Sequence, residues 1–492
     1  MQEERGTPAP PQRAVVLLRQ GIYPKSQTHR RELQAELPPL VEPGAKVKAG
    51  TVIARSDSGS DEVVSTPIHS PISGEVVAIE ERAHPWGGRS QAVVIASDGR
   101  DEWERLPTSS TTDPERLTPQ ELQRILYEAG VTDGGNAGFP TEFGSSPISP
   151  EQVDCLLVGA VGDEPYLRYE HLLLERKLRE FLAGLAVMRR ALGERVEVHL
   201  GLNREWRGLI ARLVRESPEW LAIHPLPPKY PQGDEELLVR SILGVAVPPG
   251  GLAAEEGIVV QDVAHVLAAY EAVHEGKPFI ERWVAQGGPA LARPGVCRLR
   301  MGTPLSALLG LEGEAKGEGK GKGRKGGKGK GKEGEGEGKK DKDEEVRLLL
   351  DGVLRGFPVE DPETPILRNT SAVVALPGPR LRLLAWSEPG LARDSYTRAF
   401  LALPLAPARR ADFGLHGPER PCVKCGFCLE ACPQGLAPAT LAECAAHDLL
   451  DEAKELNIFA CIECGLCSYV CVAKLPLLEQ IRAGKRKLKE EE

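Results

Sequence analysis

The chain has 492 residues, a formal net charge of −9 and a hydrophobic content of 41%. This length allows three or four domains with ordinary buried cores. The negative charge argues against a general nucleic-acid binder, and no run of 18 or more apolar residues is present to span a membrane. The N-terminus has no basic region before its short apolar run, so we expect no signal peptide and a reducing, cytoplasmic compartment.

The first block, residues 13–105, contains short β-type runs separated by proline and glycine. This spacing predicts a small β-sandwich or barrel. The turn from Pro71 to Val76 is similar to one found in lipoyl- and biotinyl-type hammerheads. The tip at 56–66 has no lysine, which argues against a swinging-arm role.

Residues 119–285 alternate between apolar, strand-like runs and amphipathic, helical runs. A glycine-rich turn at 134–138 follows the first predicted helix and precedes a strand at 154–161. One long helix is predicted at 171–193. Alternation of this kind implies an α/β domain with a mostly parallel sheet.

Residues 286–311 and 346–372 together resemble a small β-grasp-like unit, interrupted by a Gly-, Lys- and Glu-rich insert at 312–345. The insert cannot bury enough apolar surface to offset its ordering entropy, so we predict that it is disordered. Its basic stretch fits an electrostatic tether to anionic lipid or to an acidic partner. A tolerated loop insertion explains it equally well. A proline-rich connector is predicted at 373–412.

Eight of the eleven cysteines lie in two copies of the run C-x2-C-x2-C-x3-C, inside a predicted unit at 413–478. In bacterial two-cluster ferredoxins this run holds a [4Fe-4S] cluster, and its fourth cysteine ligates the other cluster. That rule assigns one cluster to Cys422, Cys425, Cys428 and Cys471, and the other to Cys432, Cys461, Cys464 and Cys467.

Zinc and disulfides are the alternatives for these cysteines. Structural zinc usually draws paired C-x2-C units from separate loops, and disulfides require an oxidising compartment, so both fit poorly. A single helix is predicted at 440–456 between the two runs, and a basic helical tail at 479–492. Two clusters close together predict an electron relay.

Several phrases in one order, followed by both cysteine runs, make the chain resemble the RnfC family, the C subunits of the Rnf-type (Rsx-type) ion-translocating electron transport complex. The phrases are GIYPKSQTHR at 21–30, PIHSPISGEVVAIE at 67–80, NAGFPT at 136–141, EPYL at 164–167, KYPQGDE at 229–235, PPGGL at 248–252, EGKPFIER at 275–282 and MGTP at 301–304. The match is collinear and covers nearly the whole chain outside the insert.

The resemblance implies a fold, cofactors and partners. It implies an N-terminal β-sandwich/barrel hybrid, a Rossmann-like domain of the complex I flavin-subunit type at 119–285, an SLBB-type β-grasp unit at 286–372 and a two-cluster ferredoxin-type domain. It further implies an electron-transfer subunit that works with NADH or ferredoxin, with membrane-embedded Rnf-type subunits and with a second ferredoxin-like subunit. The expected location is peripheral, at the cytoplasmic face of the inner membrane.

The resemblance also implies an FMN and NADH site, whose family residues survive here as Gly135, Gly138, Thr141 and Glu164. Three loops of that site depart from the family pattern. In the first loop, Asp133 brings a carboxylate where phosphate charge is expected and Gly144 replaces a lysine. In the second loop, Gly159 and Gly162 replace an asparagine and a glutamate, and the third glycine-rich loop reads DGVLRG at 351–356. Two alternatives therefore stay open: an adaptor that relays electrons without flavin or NADH, and a soluble flavin and iron–sulfur reductase related to cobalamin reductases.

Overall fold

The structure of the protein is a computed structural model. The described residues are 3–4, 6–19, 32–33, 36–56, 63–64, 66–85, 88–106, 114–132, 139–143, 146, 148–162, 164–167, 169–291, 294–308, 346–359, 361–377 and 419–490. The predicted insert at 312–345, the phrase at 21–30 and residues 378–412 of the predicted connector lie outside them.

The N-terminal part is a β structure, as the Pro- and Gly-punctuated runs predict. An antiparallel sheet has the strand order β2-β9-β8-β4, and two pairs flank it, β3 with β6 and β5 with β7. The strands are β2 Arg13–Leu17, β3 Glu32–Leu33, β4 Lys46–Val47, β5 Val52–Ala54, β6 Val63–Val64, β7 Ile68–His69, β8 Gly74–Ala83 and β9 Arg89–Ser97. Alternate side chains such as Val16, Val93 and Ile95 share one buried cluster, since successive residues of a strand face opposite sides.

The central part is a parallel sheet with helices on both faces. Its strand order is β12-β11-β10-β13, and every neighbouring pair is parallel. The strands are β10 Cys155–Ala160, β11 Glu197–Asn203, β12 Leu221–Leu226 and β13 Ile258–Asp262. Because β13 returns to the far side of β10, the strand order reverses there, which is where open α/β sheets usually bind ligands.

Six helices accompany this sheet: α1 Pro119–Glu128, α2 Tyr169–Arg176, α3 Leu178–Leu192, α4 Arg207–Glu216, α5 Glu235–Leu243 and α6 Val263–Tyr270. Thr118 begins α1 with a capping box, accepting from Glu121 N–H while the Glu121 carboxylate accepts from Thr118 N–H. The prediction of a single helix at 171–193 is wrong in detail. The helix is interrupted at Lys177, whose backbone leaves the helical region (φ −122°, ψ 34°), and this separates α2 from α3.

A mixed six-stranded sheet adjoins the central part, in the order β1-β15-β14-β18-β16-β17. Its strands are β1 Glu3–Glu4, β14 Glu281–Gly287, β15 Gly295–Arg300, β16 Val346–Leu350, β17 Phe357–Val359 and β18 Ala372–Pro377. Strands from before and after the insert thus share one sheet. Two of them, β14 and β18, cross the predicted boundaries at 285/286 and 372/373.

The cysteine-rich part is helical, with α7 Phe427–Ala431, α8 Pro438–Ala446, α9 Leu450–Glu455, α10 Leu466–Val470 and α11 Leu477–Glu490. Gly426 and Gly465 precede α7 and α10 with nearly equal positive φ values of 79° and 77°, so the two cysteine runs repeat one backbone path. The single helix predicted at 440–456 is wrong. Asp448 takes a positive φ of 56°, and this residue breaks the helix into α8 and α9.

Candidate iron–sulfur and cofactor sites

The last cysteine of the first run meets the second run. Cys432, Cys461, Cys464 and Cys467 line one cavity, together with apolar side chains that include Ile462 and Ile481. The first three cysteines of the second run thus line the same cavity as the last cysteine of the first run. We call these four cysteines the inner set. Their arrangement has the donor chemistry that a cluster held by thiolates requires.

Cys428 lies near Cys425 of its own run and near Cys471 of the second run. Burial raises the pKa of Cys428, and the neighbouring charges of Cys425 and Cys471 raise it further. Cys422 and Cys425 are exposed, whereas Cys464 and Cys467 are buried. We call Cys422, Cys425, Cys428 and Cys471 the outer set. The inner set and the proximity of Cys471 to Cys428 agree with the crossed assignment drawn from the sequence. Cys422 joins the outer set from the sequence alone, and all ligand roles remain predictions.

The inner thiols sit in a poorly hydrated place. Burial raises the pKa of Cys464 to about 11 and also raises the pKa of Cys467. Such thiols stay protonated at neutral pH until a metal centre displaces the proton. Among the described residues, no group of three or more His, Cys, Asp or Glu side chains is arranged to hold a single metal ion.

The second cysteine run, residues 461–471, which we call the inner run, packs directly against the central part and the six-stranded sheet. Tyr230 Oη donates to the backbone carbonyl of Cys464 at 2.6 Å. A Cβ added to Gly465 would lie 1.9 Å from the Leu354 carbonyl oxygen, so only glycine permits this approach. Arg482 Nη2, on α11, donates to the Arg355 carbonyl oxygen at 2.7 Å. Tyr230 and the loop at 351–356 therefore hold the inner run, and Arg482 joins that loop to α11.

Further polar contacts reinforce this junction. Arg355 Nη2 contacts Asp234 Oδ2 at 3.1 Å, and Asp234 is buried. Gln434 accepts from Arg240 Nη2 at 2.6 Å and donates to Glu236 Oε2 at 2.6 Å. Sequence reasoning missed the contact of Tyr230 with the cysteine run. The phrases KYPQGDE and DGVLRG carried the signal, since they lie at the two loops that meet the cysteines.

A group of three charged side chains lies next to the inner set. Glu463 pairs with Arg482 Nε at 2.8 Å and with Lys485 Nζ at 3.0 Å. Lys485 Nζ also donates to the Cys461 carbonyl oxygen at 2.6 Å. Burial alone would raise the pKa of Glu463, but the charges of Lys485 and Arg482 hold it at about 2. Glu463 is therefore ionised at neutral pH.

The predicted flavin residues lie on both sides of β10 in the chain. Gly135 and Gly138 are outside the described residues. Thr141, which precedes β10, is buried, and its Oγ1 accepts from Phe143 N–H at 3.3 Å. Glu164 follows β10 at the point where the strand order reverses. Of the two described residues, Glu164 is the one that directly follows β10 at the switch point.

The Glu164 carboxylate is engaged by the third glycine-rich loop. Its Oε1 accepts from Val353 N–H at 2.9 Å and from Leu354 N–H at 3.5 Å. A Cβ added to Gly352, where φ is +119°, would lie 2.2 Å from the same oxygen. Because Leu354 also contacts Gly465, Glu164 connects the end of β10 with the loop that supports the inner run.

Asp351, at the start of this loop, carries a carboxylate that folding destabilises. Burial raises its pKa from 3.8 to about 6, although Ser371 N–H donates to Oδ1 at 2.7 Å. The folded state thus binds more protons than the unfolded state between about pH 4 and about pH 6, and stability falls as the pH rises through that window. The difference in pKa corresponds to at most about 3 kcal/mol at neutral pH.

We expect the substitution Asp351→Asn to remove this penalty. Asparagine tolerates the positive φ of 60° at this position, and its carbonyl can still accept from Ser371 N–H. The melting temperature of the variant should exceed that of the wild type by a margin that grows from about pH 4 to about pH 6 and then levels off. Asp361→Asn, at an exposed position of the same sheet unit, is the control and should show no growing margin. A margin for Asp351→Asn that is independent of pH would contradict the prediction.

Within the residues that the structure describes, no helix combines the length and the apolar character that crossing a membrane requires. The fold and the cysteine sets together define the class: an iron–sulfur redox protein in which a nucleotide-binding type of α/β sheet is packed against a pair of four-cysteine sites.

Family models match the N-terminal, central and cysteine-rich parts of the chain. Residues 13–100 match the RnfC barrel sandwich hybrid domain. Residues 126–271 match the Nuo51 FMN-binding domain, and residues 421–476 match the 4Fe-4S dicluster domain. These matches confirm the fold class predicted from the sequence. They also support iron–sulfur clusters and allow FMN.

Individual relatives point the same way. The C subunit of the proton-translocating ferredoxin:NAD(+) oxidoreductase complex of Clostridium ljungdahlii is 30% identical over 428 residues, which are 87% of this chain and 79% of that protein. The C subunit of the ion-translocating oxidoreductase complex of Pseudomonas aeruginosa is 31% identical over 99% of this chain and 54% of that longer protein. Among solved structures, a chain of an NAD+-reducing [NiFe]-hydrogenase in the H2-reduced state has 15% identity and a TM-score of 0.43, covering 76% of this chain and 63% of that one.

The chain belongs to the RnfC family, the C subunits of the ion-translocating (Rnf-type) oxidoreductase complexes. The resemblance drawn from the sequence phrases is thereby confirmed. The relatives are named as subunits of multi-subunit complexes.

Proposed function

We propose that this chain is an electron-transfer subunit of a membrane-bound, Rnf-like redox complex. Electrons pass through two [4Fe-4S] clusters, one held by the inner set and one by the outer set. When bound, each cluster supplies a one-electron carrier whose potential depends on its protein surroundings. The chain links NADH or ferredoxin with membrane flavoprotein partners, whose reactions drive ion transport.

The position of the two cysteine sets carries this proposal. The inner set is enclosed between α11 and the loop at 351–356, next to the switch point of the parallel sheet. The outer set has two exposed cysteines, Cys422 and Cys425. A relay needs one carrier near the site where electrons enter the protein and one within reach of another protein. The inner and outer sets meet these two requirements.

Tyr230 and Gly465 fix the backbone around the inner set. Tyr230 donates to the Cys464 carbonyl and fixes the backbone of the run against the α/β part. Gly465 allows the Leu354 carbonyl to approach and leaves no room for water between them. Such backbone contacts orient the thiolates and control solvent access, and both influence a cluster's potential.

Electron entry through FMN and NADH is supported by the match of residues 126–271 to an FMN-binding domain. Gly135, Gly138, Thr141 and Glu164 are the proposed cofactor residues. A second candidate function is a relay or adaptor without flavin or NADH. It is favoured by the engagement of Glu164 with Val353 N–H, which commits this carboxylate to the protein's own loop.

The proposed partners are membrane-embedded Rnf-type subunits and a second ferredoxin-like subunit. The relatives' names, which place each of them in an ion-translocating complex, support this assignment. The proposed location is the cytoplasmic face of the inner membrane, where the chain is attached through those partners.

The test is made on the full chain, purified anaerobically after cluster reconstitution. Iron and released flavin are quantified together, NADH is added, and bleaching of the cluster absorbance is followed. About eight irons per chain are expected if both clusters form. About four irons or none would overturn the relay, and protein reconstituted without sulfide is the control for adventitious iron. With both clusters present, one FMN and prompt bleaching identify the NADH-entry subunit, whereas no flavin and no bleaching identify the adaptor.

A further inference from the structure

The two cysteine runs are copies of one another with opposite charges at one position. Lys424 and Glu463 each stand between the first and second cysteines of their run, with φ values of 53° and 56°. The backbones therefore match at these two positions. Lys424 is exposed, whereas Glu463 is held by Arg482 and Lys485. The electrostatic surroundings of the two proposed clusters consequently differ.

Lys485 directly contacts the backbone of the inner run. Its ammonium donates to the Cys461 carbonyl at 2.6 Å and to Glu463 Oε1 at 3.0 Å. Its side chain is only 11% exposed, so water screens its charge weakly. The ammonium is therefore held against the backbone of Cys461, a proposed cluster ligand.

We propose that the positive charge of Lys485 raises the reduction potential of the inner cluster and that the negative charge of Glu463 lowers it. The proposal rests on the proposed function, since it presupposes clusters in both sets. Reduction adds one negative charge to a cluster, so a nearby cation stabilises the reduced form and a nearby carboxylate destabilises it. The group around Glu463 has two cations, Arg482 and Lys485, against one carboxylate, and its net effect favours reduction.

Because Lys485 and Glu463 carry opposite charges, replacing each of them distinguishes an electrostatic role from a purely structural one. If the pair only held α11 against the inner run, loss of either partner would loosen the same contact and disturb the cluster in the same direction. If charge decides, Lys485→Met and Glu463→Gln move the potential in opposite directions. Glu463→Gln keeps an oxygen that can still accept from Lys485.

The experiment is a redox titration of the reconstituted full chain, followed by electron paramagnetic resonance so that the two clusters are read separately. The signal that is absent in a Cys461→Ala variant identifies the inner cluster. We expect Lys485→Met to shift the inner midpoint potential downward, Glu463→Gln to shift it upward, and Lys485→Arg to keep it close to the wild-type value. The outer cluster should stay unchanged in all three variants.

Lys487→Met is the matched control. Lys487 lies two residues along the same helix, is exposed and pairs with Asp448, so its removal should move neither potential. If about eight irons are retained and the inner potential does not move, or moves the same way in both charge variants, the proposal is overturned while the relay stands. Wild-type protein with about four irons or fewer would instead overturn the relay, and this proposal with it.

Discussion

Replacing Cys432 with alanine is expected to remove the same cluster as replacing Cys461, although the two cysteines belong to different runs. Cys432 lines the inner cavity with Cys461, Cys464 and Cys467. A cubane deprived of one thiolate in a buried apolar pocket has no equivalent ligand to replace it. Each variant should therefore keep about four irons per chain instead of about eight, and both should lose the same electron paramagnetic resonance signal.

The reciprocal variant completes this test. Cys471→Ala should spare the inner signal and remove the outer one, because the charge of Cys471 acts on Cys428 of the first run. Cys444→Ala is the matched control, since Cys444 is a buried cysteine on α8 that belongs to neither set. It should keep about eight irons. If Cys432→Ala and Cys422→Ala lose one common signal while Cys461→Ala loses the other, the crossed arrangement is wrong and each run holds its own cluster.

The cysteine runs could be identified from sequence because their chemistry is local. A fixed spacing of thiols with a glycine in the same place specifies one backbone path, and both runs follow it through Gly426 and Gly465. The β-type runs of the N-terminal part and the alternation of the central part are also local patterns. These patterns give the correct class of each sheet.

The junction between the parts could not be predicted in this way. The contact from Tyr230 to Cys464 spans 234 positions, and the contact from Glu164 to Val353 spans 189. Neither pair leaves a periodic signal in the sequence. The helix breaks at Lys177 and Asp448 were missed for a related reason, since both residues are compatible with a helix and the surrounding packing decides their backbone angles.

A buried ion pair in the central part gives the largest stability effect that we expect. Arg282, on β14, is only 1% exposed, and its Nη2 contacts Asp262 Oδ2 at 2.7 Å. Its Nε donates to the Thr370 carbonyl at 3.3 Å. Asp262 ends β13 and begins α6, accepting from His265 N–H at 2.8 Å. Burial lowers the pKa of His265, so the imidazole is neutral and Arg282 is the cation that balances Asp262.

Replacing Arg282 with methionine should therefore lower the free energy of unfolding by about 3–5 kcal/mol, because the Asp262 carboxylate, whose side chain is only 21% exposed, loses its cation. The double variant Arg282→Met/Asp262→Asn should recover part of this loss, since asparagine still caps α6 and no unpaired charge remains. Arg212→Met breaks a surface pair with Glu216 on α4 and should cost less than about 1 kcal/mol. Denaturant unfolding, with hydrogen exchange at 258–270 to locate the effect, measures all three variants. If Arg282→Met lowers the free energy of unfolding no more than Arg212→Met does, the Asp262 carboxylate does not depend on Arg282. The same conclusion follows if the double variant is less stable than Arg282→Met alone.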